Sequence, residues 1–164
     1  MLRIKLTQGK FALIDEQDLE LIAPYTWCAA KEKEGYFTAV TRIAVKNGKQ
    51  RQKSIKMHRL LMSESLSHGL VVDHINGNPL DNRRENLRIC TRRENTLNSK
   101  KPKTNSTGYK GVSYSARMKK YKAAINVNSS FIHLGYFICP IEAARAYDKA
   151  ALNHFGEFAK TNNL

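Results

Sequence analysis

The 164-residue chain has no stretch approaching the roughly 20 apolar residues that cross a bilayer. Its opening, MLRIKLTQGKFALIDEQ, contains neither the apolar run nor the small-residue cleavage site of a secretory signal. Cysteine is scarce: Cys28, Cys90 and Cys139 are odd in number and far apart. That spacing excludes a disulfide framework and offers no Cys-x-x-Cys for structural zinc. The expectation is therefore buried free thiols in a soluble, cytoplasmic protein. Acid is scarce too, with 14 Asp and Glu against 28 Lys and Arg, a formal net charge of +14. Such an excess on a small chain points to a polyanionic partner and, weakly, away from metabolic enzymes of acidic substrates. There is no Gly-rich phosphate loop, dinucleotide fingerprint or Ser-His-Asp order. What is present is 41% hydrophobic and 26% charged residues, enough for a packed core in one ordinary domain or two small ones.

The charge is uneven. Residues 101–164 carry 10 basic and 3 acidic side chains, and from Lys101 to Ser130 there are seven Lys or Arg and no acid. Lys100 to Gly108 is polar, basic and turn-rich, which predicts a linker between two modules. In the first module, Leu2–Leu6, Lys10–Ile14, Tyr36–Val45 and Gln52–Met57 alternate or are β-branched and predict a small sheet. Asp15 is placed to cap a short helix or turn reaching Ile22, and His58–Leu66 predicts one helix. Trp27 and Tyr36 are expected to pack in the core. Thr91, with Glu94 at the capping-box position, predicts a helix through Asn98. In the second module, Tyr109–Tyr114, Lys120–Asn128 and Phe131–Phe137 read as strands. Asn128-Ser129-Ser130 makes a turn, and Pro140–His154 is a helix stopped by Gly156. Ala143, Tyr147, Ala150, Ala151 and His154 share its inner face.

The segment that carries chemistry runs from Val71 to Asn95. An Asp-His pair, Asp73-His74, ends an extended run, and Asn76-Gly77-Asn78-Pro79 turns the chain. Successive strand residues point to opposite faces, but irregularity at a strand end can aim both side chains into one cleft. Asp73 and Asn95 offer oxygen donors, which suit a hard divalent cation that also binds phosphate. An imidazole beside such a cation could deprotonate water near neutral pH. Taken alone, His74 reads more readily as a core histidine; a turn former at Asp73 and a helix-surface residue at Asn95 are the competing readings of the other two. His58 reads as a residue that caps or packs a helix, with support of the site or metal ligation as its alternative, and His68 reads as solvated. Arg83, Arg84, Arg88, Arg92 and Arg93 read equally as a solvated face or as phosphate contacts.

Met57-His58-Arg59-Leu60, Val72-Asp73-His74-Ile75-Asn76-Gly77, Asp81-Asn82-Arg83, Glu85-Asn86-Leu87-Arg88 and Glu94-Asn95 together resemble the HNH endonucleases of the phage and intron-encoded homing type, over roughly Met57 to Asn98. The resemblance implies a β-hairpin and helix holding one metal ion. It makes His74 the general base and Asp73 and Asn95 the metal ligands. Asn86 then ties the hairpin loop and orients the base. Asparagine rather than histidine at position 95 implies Mg2+ or Mn2+ rather than zinc.

In the second module, Lys120, Lys122, Ala124 and Asn126 alternate with Tyr121, Ala123, Ile125 and Val127, so one face of the strand is basic and small. Phe131 and His133 are expected on that outer face, and Ile132 and Leu134 on the inner one. Gly108-Tyr109-Lys110-Gly111-Val112, Tyr121-Lys122-Ala123-Ala124-Ile125, His133-Leu134-Gly135-Tyr136-Phe137 and Glu142-Ala143-Ala144-Arg145-Ala146-Tyr147-Asp148 resemble the plant ethylene-response-factor (Apetala-type) DNA-binding domain, over about Thr107 to Asn162. The resemblance implies a sheet in the major groove, with Lys110, Ser113, Ser115, Arg117, Lys120, Lys122, Asn126 and His133 at contact positions. The arginines and tryptophans of the plant pattern are replaced here by Lys, Ser, Asn and His.

The expected fold is α+β: an N-terminal small sheet and a ββα-metal HNH module (1–100, core 57–98), a linker (101–107), then a three-stranded antiparallel sheet packed on one helix (108–164). The expected function is a site-directed, homing-like, nicking DNA endonuclease of phage type. It would act as a monomer on double-stranded DNA in a bacterial host, with one divalent ion and no organic cofactor or membrane. The alternatives are a non-catalytic DNA-binding regulator on a nuclease scaffold and an RNA-processing nuclease.

Overall fold

The computed structural model describes residues 1–32, 35–44, 52–99, 105–162 and 164. Val45, at the end of one expected strand, and residues 100–104, within the expected linker region, lie outside them. The chain is α+β and divides into two compact units, Met1–Arg92 and Arg93–Leu164.

The first unit opens with an antiparallel hairpin of β1 (Leu2–Lys5) and β2 (Phe11–Ile14), whose Ala12 and Ile14 are fully buried. A 3-10 turn (Glu16–Asp18) leads into α1 (Leu19–Ile22). Asp15 does not cap it with its side chain. Instead one carboxylate oxygen accepts the Arg84 backbone N–H at 2.7 Å, a tertiary partner in place of the local one. Next comes a sheet of β3 (Cys28–Lys31), β4 (Phe37–Ala44) and β5 (Gln52–Lys56), antiparallel in that order. β3 is absent from the sequence expectation because Cys28-Ala29-Ala30-Lys31 has no β-branched residue; β4 supplies the ladder that makes it a strand. The expected 58–66 helix is shorter, α2 (Met57–Leu61), and the chain turns through the serine-rich stretch after it.

The last elements of this unit are β6 (Val71–His74) and β7 (Leu87–Cys90), an antiparallel pair. β7 is another unforeseen strand, four residues long and too short to show a period. Leu6, Ile14, Ile22, Trp27, Ala29, Ala39, Met57, Leu61, Val72 and Leu87 come together in one core. Full burial of side chains such as Ile14, Ile22 and Met57 contributes about 1.5–3 kcal/mol each. The Trp27 indole N–H donates to the Ile22 carbonyl at 3.0 Å, whereas Tyr36 is only half-buried.

The second unit contains α3 (Arg92–Leu97, whose first residue closes the preceding unit), then β8 (Val112–Ser115), β9 (Lys120–Val127), β10 (Ser130–Phe137) and α4 (Pro140–Phe155). The strands form an antiparallel sheet in the order β10-β9-β8. Asn128 (φ 54°) and Ser129 (φ 65°) turn β9 into β10, the pair of positive φ values that a tight hairpin needs. Ala143, Ala144, Tyr147 and Ala151 bury one face of α4 against the sheet. His154, expected on that face, is exposed, because the 16-residue helix runs on past its last buried residue, Ala151. A Cβ on Gly111 would lie 1.9 Å from the Tyr147 ring, so only glycine lets the helix approach there. None of the three cysteines is in a disulfide, but only Cys90 is buried; Cys28, at a strand end, and Cys139, at the α4 N-cap, are half-buried. No described helix is long and apolar enough to cross a membrane.

Candidate active site

The β6–β7 ladder places Asp73 opposite Arg88 and His74 opposite Leu87, at the end from which a twelve-residue loop, 75–86, departs. Asn86 closes that loop from both sides. Its Oδ1 accepts the Asn76 N–H at 2.9 Å, its Nδ2 donates to the Asp81 carbonyl at 2.7 Å, and its own carbonyl accepts the Ile75 N–H at 2.9 Å. Asn76 and Asn78 each accept a backbone N–H two residues on, which stiffens the turn. Asn76 also donates to the Asp81 carboxylate, and Arg83 clamps the same carboxylate through two nitrogens at 2.8 Å. The guanidinium, opposed by burial, holds the Asp81 carboxyl below the usual carboxylate range.

Asp73 and His74 are both buried, at 6% and 8% exposure, so only an edge of each reaches the surface. Asp73 Oδ2 accepts from Arg88 Nε at 3.0 Å and Nη2 at 2.8 Å. Burial lowers the His74 pKa, against the opposing pull of the Asn82 hydrogen bond and the Asp73 and Asp81 charges. The ring is therefore neutral, and able to accept a proton, at neutral pH. Two neighbours frame it. His58, on α2, lies edge-to-face with ring centroids 4.8 Å apart, and burial, first among its causes, pushes its pKa down to about 3. Asn82, fully buried, brings Oδ1 to 3.4 Å from His74 Nε2. Asn82 stands in the Asp81-Asn82-Arg83 motif without an assigned role, and the sequence offers His58 first as a residue that caps or packs a helix. The signal that finds both is tertiary.

Asn95 is an exposed residue of α3 in the second unit. Arg83, Arg84 and Arg88 are engaged within the first unit, with Asp81 and Glu85, with Asp18, and with Asp73 respectively. Arg93 donates to Asn128. Arg92 lines a concavity with Arg59 and His68.

In the second unit, the register aligns Ser113 with Lys122 and Tyr136, Ser115 with Lys120, Ala124 with His133, and Asn126 with Phe131 on the outer face of the sheet. Phe131 (66% exposed) lies under the Lys122 ammonium at 5.1 Å, and His133 touches Tyr136. Arg117 sits in the β8–β9 turn. The Lys110 ammonium donates to the carbonyls of Leu97 and Ser99, both at 2.8 Å, and burial pushes its pKa down to about 8.

The site is thus a hairpin ending in a buried Asp-His pair, with its loop held by an asparagine. Residues 64–97 match the HNH endonuclease family model. Among relatives, Protein 3.8 of Escherichia phage T7 is 40% identical over 57 residues, 35% of this chain and 47% of that protein, so the match spans about half of its length. The Uncharacterized HNH endonuclease L560 of Acanthamoeba polyphaga mimivirus is 28% identical over 161 residues, 96% of this chain and 77% of that protein.

Proposed function

We propose that the chain is a metal-dependent HNH endonuclease that hydrolyses phosphodiester bonds in double-stranded DNA, nicking at directed sites in the manner of phage homing enzymes. The observation that carries this is the neutral, nearly buried His74 beside the Asp73 carboxylate within the stretch that matches the HNH model. His74 takes a proton from the attacking water, the role a neutral imidazole fills near pH 7. Asn86 holds the loop so that the strand end carrying His74 stays in place. Arg88 fixes the Asp73 carboxylate through Oδ2. The donor chemistry fits a magnesium or manganese ion: a carboxylate from Asp73 and a carboxamide oxygen from Asn95 are hard donors that leave room for water and phosphate. Such an ion would supply charge stabilisation at the scissile phosphate and the leaving 3′ oxygen.

The DNA-binding role falls to the second module, residues 108–164 after a 101–107 linker, on the Apetala-type pattern. Ser113, Ser115, Lys120, Lys122, Asn126 and His133 on the outer sheet face, with Arg117 at its turn, would meet the groove. The basic charge of the face and its lack of acid on the strands support this. The protein would work as a monomer in the cytoplasm of a bacterial host. A supercoiled-plasmid assay with magnesium against chelator tests the reading. His74→Ala should retain DNA affinity and lose about 10²–10⁴-fold in rate. Undiminished cleavage by that variant removes the assigned base. Binding without any cleavage by the unaltered protein would leave the non-catalytic regulator.

A further inference from the structure

We propose that Asn82 is a positioning residue for His74: its side-chain carbonyl accepts the His74 Nε2–H, which fixes the ring as the Nε2-protonated tautomer and leaves Nδ1 as the atom that receives the water proton. The inference rests on the nuclease reading for its catalytic consequence, but its geometry is independent of that reading.

Three observations converge. Asn82 Oδ1 stands 3.4 Å from Nε2 inside the core, a long hydrogen bond of the kind that tightens when substrate arrives. Asn82 is fully buried, yet its Nδ2 has no partner. A buried amide retained with one end unsatisfied is unusual, and the end that is satisfied faces the imidazole. The second tautomer would require the amide turned over, with NH2 toward the ring lone pair; the two arrangements therefore differ in an observable proton position.

The backbone around Asn82 is pinned from a distance. Its N–H donates to the Leu13 carbonyl at 2.8 Å, and the Leu13 N–H donates to Leu80 at 2.8 Å, so the loop lies against β2 as an extra bridge. Two residues on, Arg84 grips the buried Asp18 through Nε and Nη2 at 2.9 and 2.7 Å. On the other flank, the perpendicular His58 ring at 4.8 Å limits rotation of His74, and His58 Nδ1 is likewise buried without a partner. The N-terminal hairpin and α2 thus act on the chemistry through one carboxamide and one ring, neither of which touches the reacting atoms.

The test uses the full-length protein. Long-range ¹H–¹⁵N correlation spectra of histidine-labelled, metal-free protein, with the His74 signal assigned by its loss in His74→Gln, report the tautomer. The expected result is an Nε2–H pattern in the unaltered protein. Asn82→Leu should give mixed tautomers and lower kcat about 10- to 100-fold, with KM for DNA unchanged. Asn82→Asp keeps an accepting oxygen but adds a carboxylate beside the ring, so it should keep the Nε2–H pattern while raising the His74 pKa. An Nδ1–H pattern in the unaltered protein overturns the proposal, and so does Asn82→Leu with unchanged kcat. Should Asn82→Leu fail to fold, the spectra of the unaltered protein and of Asn82→Asp still decide. Absence of all cleavage by the unaltered protein would end the nuclease reading. An Nε2–H signal that Asn82→Leu abolishes would even then uphold the pairing.

Discussion

Arg88→Met offers the most demanding check on how the site is held. Arg88 and Asp73 face each other across the β6–β7 ladder, with side chains only 10% and 7% exposed and a closest approach of 2.8 Å. Opposite charges about 4 Å apart attract by about 4 kcal/mol at an effective dielectric constant of 20. Methionine fills the arginine stem but leaves the buried carboxylate without its cation, which costs about 3–5 kcal/mol. Removing both charges, in Asp73→Asn with Arg88→Met, should cost clearly less, since no uncompensated charge remains. Urea denaturation of the two single variants and the double variant gives the coupling directly. Magnesium sharpens the test. A cation that binds against Asp73 stabilises the folded chain by about 2.7 kcal/mol at 100 times its dissociation constant. It should therefore recover part of the loss in Arg88→Met and none in the double variant. A loss below about 1 kcal/mol in Arg88→Met would mean the pair behaves as a solvated surface bridge. Equal stabilisation of both variants by magnesium would remove Asp73 from the ligand set.

Gly111→Ala combines a positive φ of 75° with a Cβ driven into the Tyr147 ring, and should destabilise the second unit by about 2–5 kcal/mol, read by urea denaturation; near-neutral stability would mean the helix and sheet separate easily. His58 is neutral in the folded chain down to about pH 3, whereas the unfolded chain protonates it near 6.5. Stability is thus full above that pH and falls by roughly 1.4 kcal/mol per unit as pH drops from 6.5 toward 3. His58→Phe should flatten this slope in acid titrations, and an unchanged slope would place the ring in water. Lys120→Ala and Lys122→Ala should each weaken DNA binding across sequences and reduce the salt slope by about one. Unchanged slopes would take the outer face away from the phosphates.

Much of this was legible before any coordinates. Period-two alternation or β-branched residues placed β1, β2, β4, β5, β9 and β10 to within a few residues. α4 announced itself through its proline start, alanine face and terminal glycine. The Asp73-His74 pair and Asn86 were legible as chemistry because their loop closes locally, within fifteen residues. β3 and β7 were not: four residues are too few for a pattern, and each is a strand only because a neighbour pairs with it. The partners of the arginines were hidden for a related reason. Charge in sequence does not show its partner, and Asp18 lies 66 residues from Arg84.

The order of residues alone therefore determined the two-part α+β plan, the basic character of the outer sheet face and the identity of the pair expected to act on phosphate. Only the tertiary structure decided how that pair is framed. Asn82 and His58 reach His74 because the N-terminal hairpin pins one loop and α2 presents one ring, contacts between groups 8 and 16 positions away that no local periodicity encodes. Burial then sets the protonation of both imidazoles, since desolvation is a property of everything packed around a group and not of the group itself.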